Sequence, residues 1–196
     1  MTQVKSVAVY CSASANIDEH FFEKGKVVAK DIAQRGMRLV YGGGHVGLMG
    51  VVADEVMANG GDVLGVTTKH LDQYEVGHTG VTELKIADDM HARKNMMFEE
   101  ADGFIIMPGG FGTLEELFEV ITWKQIGLHD KPIVVVNVDG FWDPLKDLMD
   151  TIIKKKFASA TDDAIVCFVD KVEDAVSTLV DAPRVSINPS KKWVRE

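Results

Sequence analysis

Cysteine is scarce in this chain. The 196 residues hold two, Cys11 and Cys167, each inside an apolar run that reads as a buried strand. Two scattered thiols give neither a disulfide framework nor zinc-ligand spacing, and they suit small buried side chains. Basic residues are also in deficit: 21 Lys and Arg face 30 Asp and Glu, a formal net charge of −9. That balance repels nucleic-acid phosphates and anionic membranes unless cations cluster. The basic runs, residues 154–156 and 191–195, read as solvated surface, so neither nucleic acid nor a membrane is an expected partner. No apolar run approaches the roughly 20 residues of a membrane-spanning helix. The apolar stretch at residues 7–11 is too short for the core of a signal peptide, and a cytoplasmic location is expected. The six histidines show neither HExxH spacing nor pairing with cysteine, so no metal and no cofactor are expected.

What is present is an ordinary globular composition, 46% hydrophobic and 26% charged, in a chain long enough to bury a large sheet on both faces. Short β-branched runs alternate with longer helical patterns, the mark of a parallel sheet covered by helices. Strands are expected at residues 4–11, 37–41, 62–66, 81–87, 104–107, 133–138 and 165–169. Helices are expected at 18–35 (with Phe21, Gly25, Val28 and Ile32 on one face), 47–58, from Asp88 or Asp89 to 101, and at 113–126, 143–157 and 171–180. Residues 67–80, with Gly77, Gly80, three charges and two histidines, read as a surface loop. The expected fold is α/β, a Rossmann-like parallel sheet of about seven strands flanked by helices on both faces. One domain spans 1–182, followed by a C-terminal tail at 183–196.

Ligands of open α/β sheets bind beyond the carboxyl ends of the strands. Two strand-to-helix turns there are rich in glycine: Tyr41-Gly42-Gly43-Gly44-His45-Val46-Gly47 and Pro108-Gly109-Gly110-Phe111-Gly112-Thr113. Missing side chains let an anion approach the backbone, and the next helix adds unpaired amides and its dipole. Glycine in either turn alone equally serves a tight bend; two such turns in one sheet favour a phosphate-bearing ligand. Gly42-x-Gly44-x-x-Gly47 formally fits a dinucleotide fingerprint. The acid about 20 residues on, Asp62, sits at the wrong end of its strand, and the turn does not follow the first strand.

Glu116 lies three residues after Thr113, the spacing of a capping box; it equally suits an acid aimed into the ligand's space. Arg93 lies four residues after Asp89, the spacing of a helical ion pair, or serves as a planar fork for a phosphate or a ribose hydroxyl. Spacing leaves both choices open.

Pro108-Gly109-Gly110-Phe111-Gly112-Thr113-Leu114-Glu115-Glu116 resembles the PGGxGTxxE motif of the LOG (lonely guy) family, the cytokinin riboside 5′-monophosphate phosphoribohydrolases, long labelled possible lysine decarboxylases. The GGGxxGLMG loop at residues 42–50 and Met90-His91-Ala92-Arg93-Lys94 extend the resemblance over roughly residues 7–138. It implies that Arg93 and Glu116 are the catalytic pair and that the turn with Gly109, Gly110, Gly112 and Thr113 holds a 5′-phosphate. It also implies ligand contacts from Gly43, Gly44, Lys94, Met90 and Ser12, the last in Cys11-Ser12-Ala13 where many members have Cys-Gly-Ser. The substrate it implies is AMP or an N6-substituted nucleoside 5′-monophosphate, and the assembly a homodimer. Phe118, Ile121, Trp123 and Ile126 serve that interface or, for most of them, the core. No pyridoxal-phosphate lysine motif supports a decarboxylase. The alternatives are a non-catalytic nucleotide or molybdenum-cofactor carrier, which would not need both Arg93 and Glu116, and a nicotinamide enzyme.

Overall fold

The computed structural model describes residues 4–75, 77–159 and 165–187 of the chain. Seven strands, β1 (Ser6–Tyr10), β2 (Arg38–Tyr41), β3 (Val63–Thr68), β4 (Glu83–Ala87), β5 (Gly103–Ile106), β6 (Ile133–Val136) and β7 (Cys167–Val169), form one sheet. Its order is β4-β3-β2-β1-β5-β6-β7, and every pairing is parallel. The helices are α1 (Glu19–Gln34), α2 (Gly47–Ala58), α3 (Lys69–Glu75), α4 (Met90–Glu100), α5 (Phe111–Gln125), α6 (Asp143–Lys154) and α7 (Ala175–Asp181).

The two-residue period of a strand sends alternate side chains to opposite faces. Val7 and Val9 of β1 join a core built with Val28 and Ile32 of α1, Leu48 and Val52 of α2 and Leu179 of α7. Ala8 and Tyr10 join a second core with Met97 of α4, Leu117 and Val120 of α5 and Leu145 of α6. Both faces of the sheet are thus covered, which explains why the central strands are near-continuous apolar runs rather than alternating ones. The expected inner face of α1 is the observed one: Gly25, Val28 and Ile32 are buried, and Phe21 packs against their core.

The surface loop expected at residues 67–80 is corrected by the structure. β3 runs on through Thr67 and Thr68, both buried and paired with Ile86 and Ala87 of β4. The Thr68 hydroxyl accepts from the Leu71 amide at 3.2 Å, which starts α3. Polar composition concealed a strand end, because threonine in this stretch is β-branched and its hydroxyl caps. Gly77 then pairs with Gly44 in an isolated antiparallel bridge, and His78 is buried. The expected last helix, 171–180, divides into a 3₁₀ turn, Val172–Asp174, and α7. Of the expected tail, residues 183–187 have no regular structure and 188–196 lie outside the described residues.

Candidate active site

β1 occupies the middle of the sheet, with β2 on one side and β5 on the other. The chain moves outward from β1 to β4 and returns to β1's other side at β5, so the point of reversal lies between β1 and β5, where such folds leave a crevice. The two glycine turns follow β2 and β5 and therefore flank the end of β1. Ser12, just beyond β1, is fixed to both sides: its amide donates to Pro108 O at 3.1 Å, and its carbonyl accepts from the Met49 amide at 3.2 Å. Its hydroxyl accepts from the Ser14 amide at 3.1 Å.

Asp89 caps α4, its carboxylate accepting from the Ala92 amide at 2.8 Å. Arg93 is thereby left to reach elsewhere, and no ion pair with Asp89 forms among the described residues. Its Nε donates to Val66 O at 2.9 Å, Nη2 to Gly42 O at 3.2 Å, and Nη1 to Glu116 Oε1 at 3.3 Å. Arg93 is only 5% exposed. A buried charge is tolerable where it is paired and hydrogen-bonded, and here β3, the first glycine turn and α5 each supply an acceptor. A Cβ on Gly42 would overlap Arg93 Nη2, so this glycine makes room for the guanidinium.

The capping-box reading of Glu116 fails on position. α5 begins at Phe111 rather than Thr113; its N-cap is Gly110, and no side chain caps it. Thr113 is the third helical residue, buried, with its hydroxyl tucked where a Cβ on Gly109 would sit. Glu116, its side chain 14% exposed, is spent on Arg93 instead. The amides of Phe111, Gly112 and Thr113 belong to the first turn and have no intrahelical acceptor. Among the described residues, nothing lies within 4 Å of where a Cβ on Gly110 or Gly112 would point. An uncapped helix start with open space before it is what an anion needs.

Lys94 follows Arg93 on α4, about 100° further round the helix, and meets different acids. Its Nζ pairs with Glu115 and, at 2.8 Å, with Glu119, one turn apart on α5. Burial works to lower the Lys94 ammonium's pKa, but hydrogen bonds and charge from Glu115 and Glu119 outweigh it, and the net shift is upward. Among the described residues Lys94 thus clamps α4 to α5. Met90 opens α4 and is partly exposed.

Residues outside the expected set also meet here. Tyr10 ends β1; burial, then the charges of Glu116 and Glu119, push its hydroxyl pKa well up. Cys11 beside it is pushed up by burial and then by Glu116. Phe141, from the turn after β6, joins Ser12, Ile17, Phe21, Pro108 and Gly110 around a cavity of about 210 Å³. On the other side of Gly110 a more apolar cavity of about 430 Å³ is walled by Phe111, Leu114, Phe118, Trp142 and Leu148. No local pattern marks Tyr10 or Phe141; only the fold brings them in. A wider concavity of about 640 Å³ at the β7 edge is lined by Asp170, Asp174 and Asp181 and lacks both glycine turns. Its carboxylates disfavour a phosphate.

A parallel α/β sheet with a part-buried Arg–Glu pair between two glycine turns, at the reversal of strand order, defines a protein of the nucleotide-site class. The chain matches the family described as possible lysine decarboxylase over residues 49–179. It is 45% identical over 154 residues to a probable cytokinin riboside 5′-monophosphate phosphoribohydrolase of Oryza sativa subsp. japonica, covering 79% of this chain and 69% of that one. It is 38% identical over 197 residues to the Arabidopsis thaliana cytokinin riboside 5′-monophosphate phosphoribohydrolase LOG1, covering 100% of this chain and 92% of that one. The chain belongs to this family, as its motifs led one to expect. Among solved structures it resembles the molybdenum cofactor carrier protein of Chlamydomonas reinhardtii, with a TM-score of 0.67 at 19% identity over 92% of this chain and 98% of that one. At that identity the likeness concerns the fold.

Proposed function

We propose that this chain hydrolyses the N-glycosidic bond of AMP or of an N6-substituted nucleoside 5′-monophosphate, releasing free base and ribose 5-phosphate. The observation that carries the reading is the buried Arg93 paired with part-buried Glu116 beside the uncapped start of α5, in a chain whose relatives are named phosphoribohydrolases. Breaking the ribosyl N–C bond builds positive charge on the sugar and negative charge on the departing base. Glu116 beside C1′ stabilises that oxocarbenium-like state and either directs water or attacks the carbon itself. Water's hydroxyl ends on C1′ and its proton on the base. Arg93 orients the carboxylate through Nη1, and the N–H donors it does not spend on Val66, Gly42 and Glu116 serve the phosphoribosyl group. The 5′-phosphate sits before Gly110 and Gly112, on the first amides of α5, as a remote handle that positions the reacting carbon. Ser12, Gly43, Gly44 and Met90 complete the ligand's surroundings.

The partner of this site is a small-molecule nucleotide, not a nucleic acid, in keeping with the net charge of −9. Two free cysteines fit a reducing cytoplasm. A homodimer is supported by Phe111, 92% exposed beside the apolar 430 Å³ groove. Phe118 and Ile121, by contrast, pack against the second core, and light scattering checks the assembly.

The test is product analysis with AMP and N6-isopentenyl-AMP, using wild type, Glu116→Ala and Arg93→Ala. Free base and ribose 5-phosphate from wild type, lost in both folded variants, are expected. Binding without release by wild type would instead make the chain a carrier.

A further inference from the structure

Away from the Arg93–Glu116 pair, three side chains from separate segments converge. His45 follows the glycine triplet, Asp54 lies on the exposed side of α2, and His78 follows α3. One nitrogen of each ring and one carboxylate oxygen all lie within 4.8 Å of one another. His78 Nε2 is 2.8 Å from Asp54 Oδ1, and the two imidazoles meet edge to face with centroids 4.5 Å apart. The reaction proposed above uses none of them. We infer that His45, Asp54 and His78 form a binding site for a divalent transition cation of the Zn²⁺ type.

The donor set selects the metal class. Two imidazoles and one carboxylate suit Zn²⁺, Co²⁺ or Ni²⁺, whereas Mg²⁺ and Ca²⁺ favour all-oxygen shells. Three protein ligands leave a fourth position for water. Bonds of about 2.0–2.2 Å to the metal draw donors together to about 3.5 Å, a shift of about an ångström for the most distant pair. His45 and Asp54, both exposed, supply that movement by side-chain rotation.

His78 is the fixed member, 6% exposed. Its amide donates to Gly43 O at 2.9 Å, and its Nδ1 accepts from the Gly80 amide at 3.2 Å. Without metal, Nε2 therefore carries the ring proton and donates it to Asp54. Metal binding at Nε2 leaves the proton of the neutral ring on Nδ1, and the Gly80 amide must turn to water. Gly80 is an exposed glycine in a turn, so that rearrangement costs little. A second polar group also lies within reach of Asp54's charge: the Tyr41 hydroxyl, buried without a hydrogen-bond partner among the described residues and raised in pKa by burial and then by Asp54.

The site also borders the catalytic wall. Gly42 O holds Arg93 and Gly43 O holds the His78 amide, so a cation here ties the first glycine turn to α2 and to the segment after α3. Binding to the folded state alone raises thermal stability.

The experiment titrates chelator-treated protein with ZnCl₂ by calorimetry and melts it with and without Zn²⁺. It compares wild type with His45→Ala and Asp54→Asn, whose exposed side chains leave folding intact. Expected are one Zn²⁺ per chain, affinity weakened about tenfold or more in each variant, and a Zn²⁺-dependent rise in Tm that Mg²⁺ does not reproduce and both variants lose. No binding by wild type, or variants that bind and melt as wild type does, would overturn the assignment.

Discussion

The turn after β2 and the turn after β5 are both glycine-rich, yet their glycines answer to different neighbours. In the first, a Cβ on Gly42 would overlap Arg93, one on Gly47 the Ala13 carbonyl, and one on Gly50 the His45 carbonyl. In the second, Gly109 makes room for Thr113, while Gly110 and Gly112 face open space. The first turn is closed by the protein itself: its carbonyls hold Arg93 and His78, and Gly44 bridges to Gly77. The second stays open, at an uncapped helix start. Glycine richness therefore reports two arrangements, room for the protein's own side chain and open space before a helix start, and only the second suits an anion.

This division of labour is exposed to direct tests. The largest effect is expected at the acid: Glu116→Gln still folds and loses about 10²–10⁴-fold in kcat, measured by base release under saturating AMP. Next comes the ligand's own handle. Replacing AMP by adenosine removes charge-assisted bonds worth about 1.5–3 kcal/mol each, so kcat/KM falls by about 10²-fold or more; equal turnover of the two would empty the second turn of its role. The smallest catalytic effect is expected at Lys94. If Lys94 is a clamp, Lys94→Met lowers stability by about 1–3 kcal/mol and moves the KM for AMP by no more than about twofold, in parallel denaturant melts and kinetics. Its raised pKa fixes the sign of the pH dependence. The clamp contributes fully below the ordinary value of 10.5 and weakens only as pH rises through the higher folded value. The stability gap between wild type and Lys94→Met is therefore expected to stay level across neutral pH and close in strong alkali.

Much of the sheet was legible because its signal is local. Runs such as Ile133–Val136 and Gly103–Ile106 are apolar on both faces, and each expected strand corresponds to one observed. The segment at 67–80 reads as a loop because a strand end and a seven-residue helix with an exposed polar side look like a loop in composition. At the site, the motif residues were visible but their duties were not. Spacing alone left Glu116 between capping and chemistry, and Arg93 between Asp89 and a ligand. Three-dimensional partners settle the local alternatives: Asp89 is occupied with the Ala92 amide, and α5 starts two residues before Thr113. Gly42's duty toward Arg93, 51 residues away, and the meeting of His45, Asp54 and His78 are long-range facts that no spacing rule encodes.

The most direct test of the account compares Gly42→Ala with Gly112→Ala in steady-state base release from AMP. The added methyl at residue 42 meets the end of a flexible side chain, so it displaces Arg93 without unfolding the sheet. A kcat lowered by about 10²-fold is expected. At residue 112 the methyl meets no atom of the described residues but intrudes on the proposed phosphate seat, so KM is expected to rise while kcat and Tm hold. A wild-type kcat in Gly42→Ala, or an unaltered KM in Gly112→Ala, would contradict the division between a turn that holds the arginine and a turn that holds the ligand.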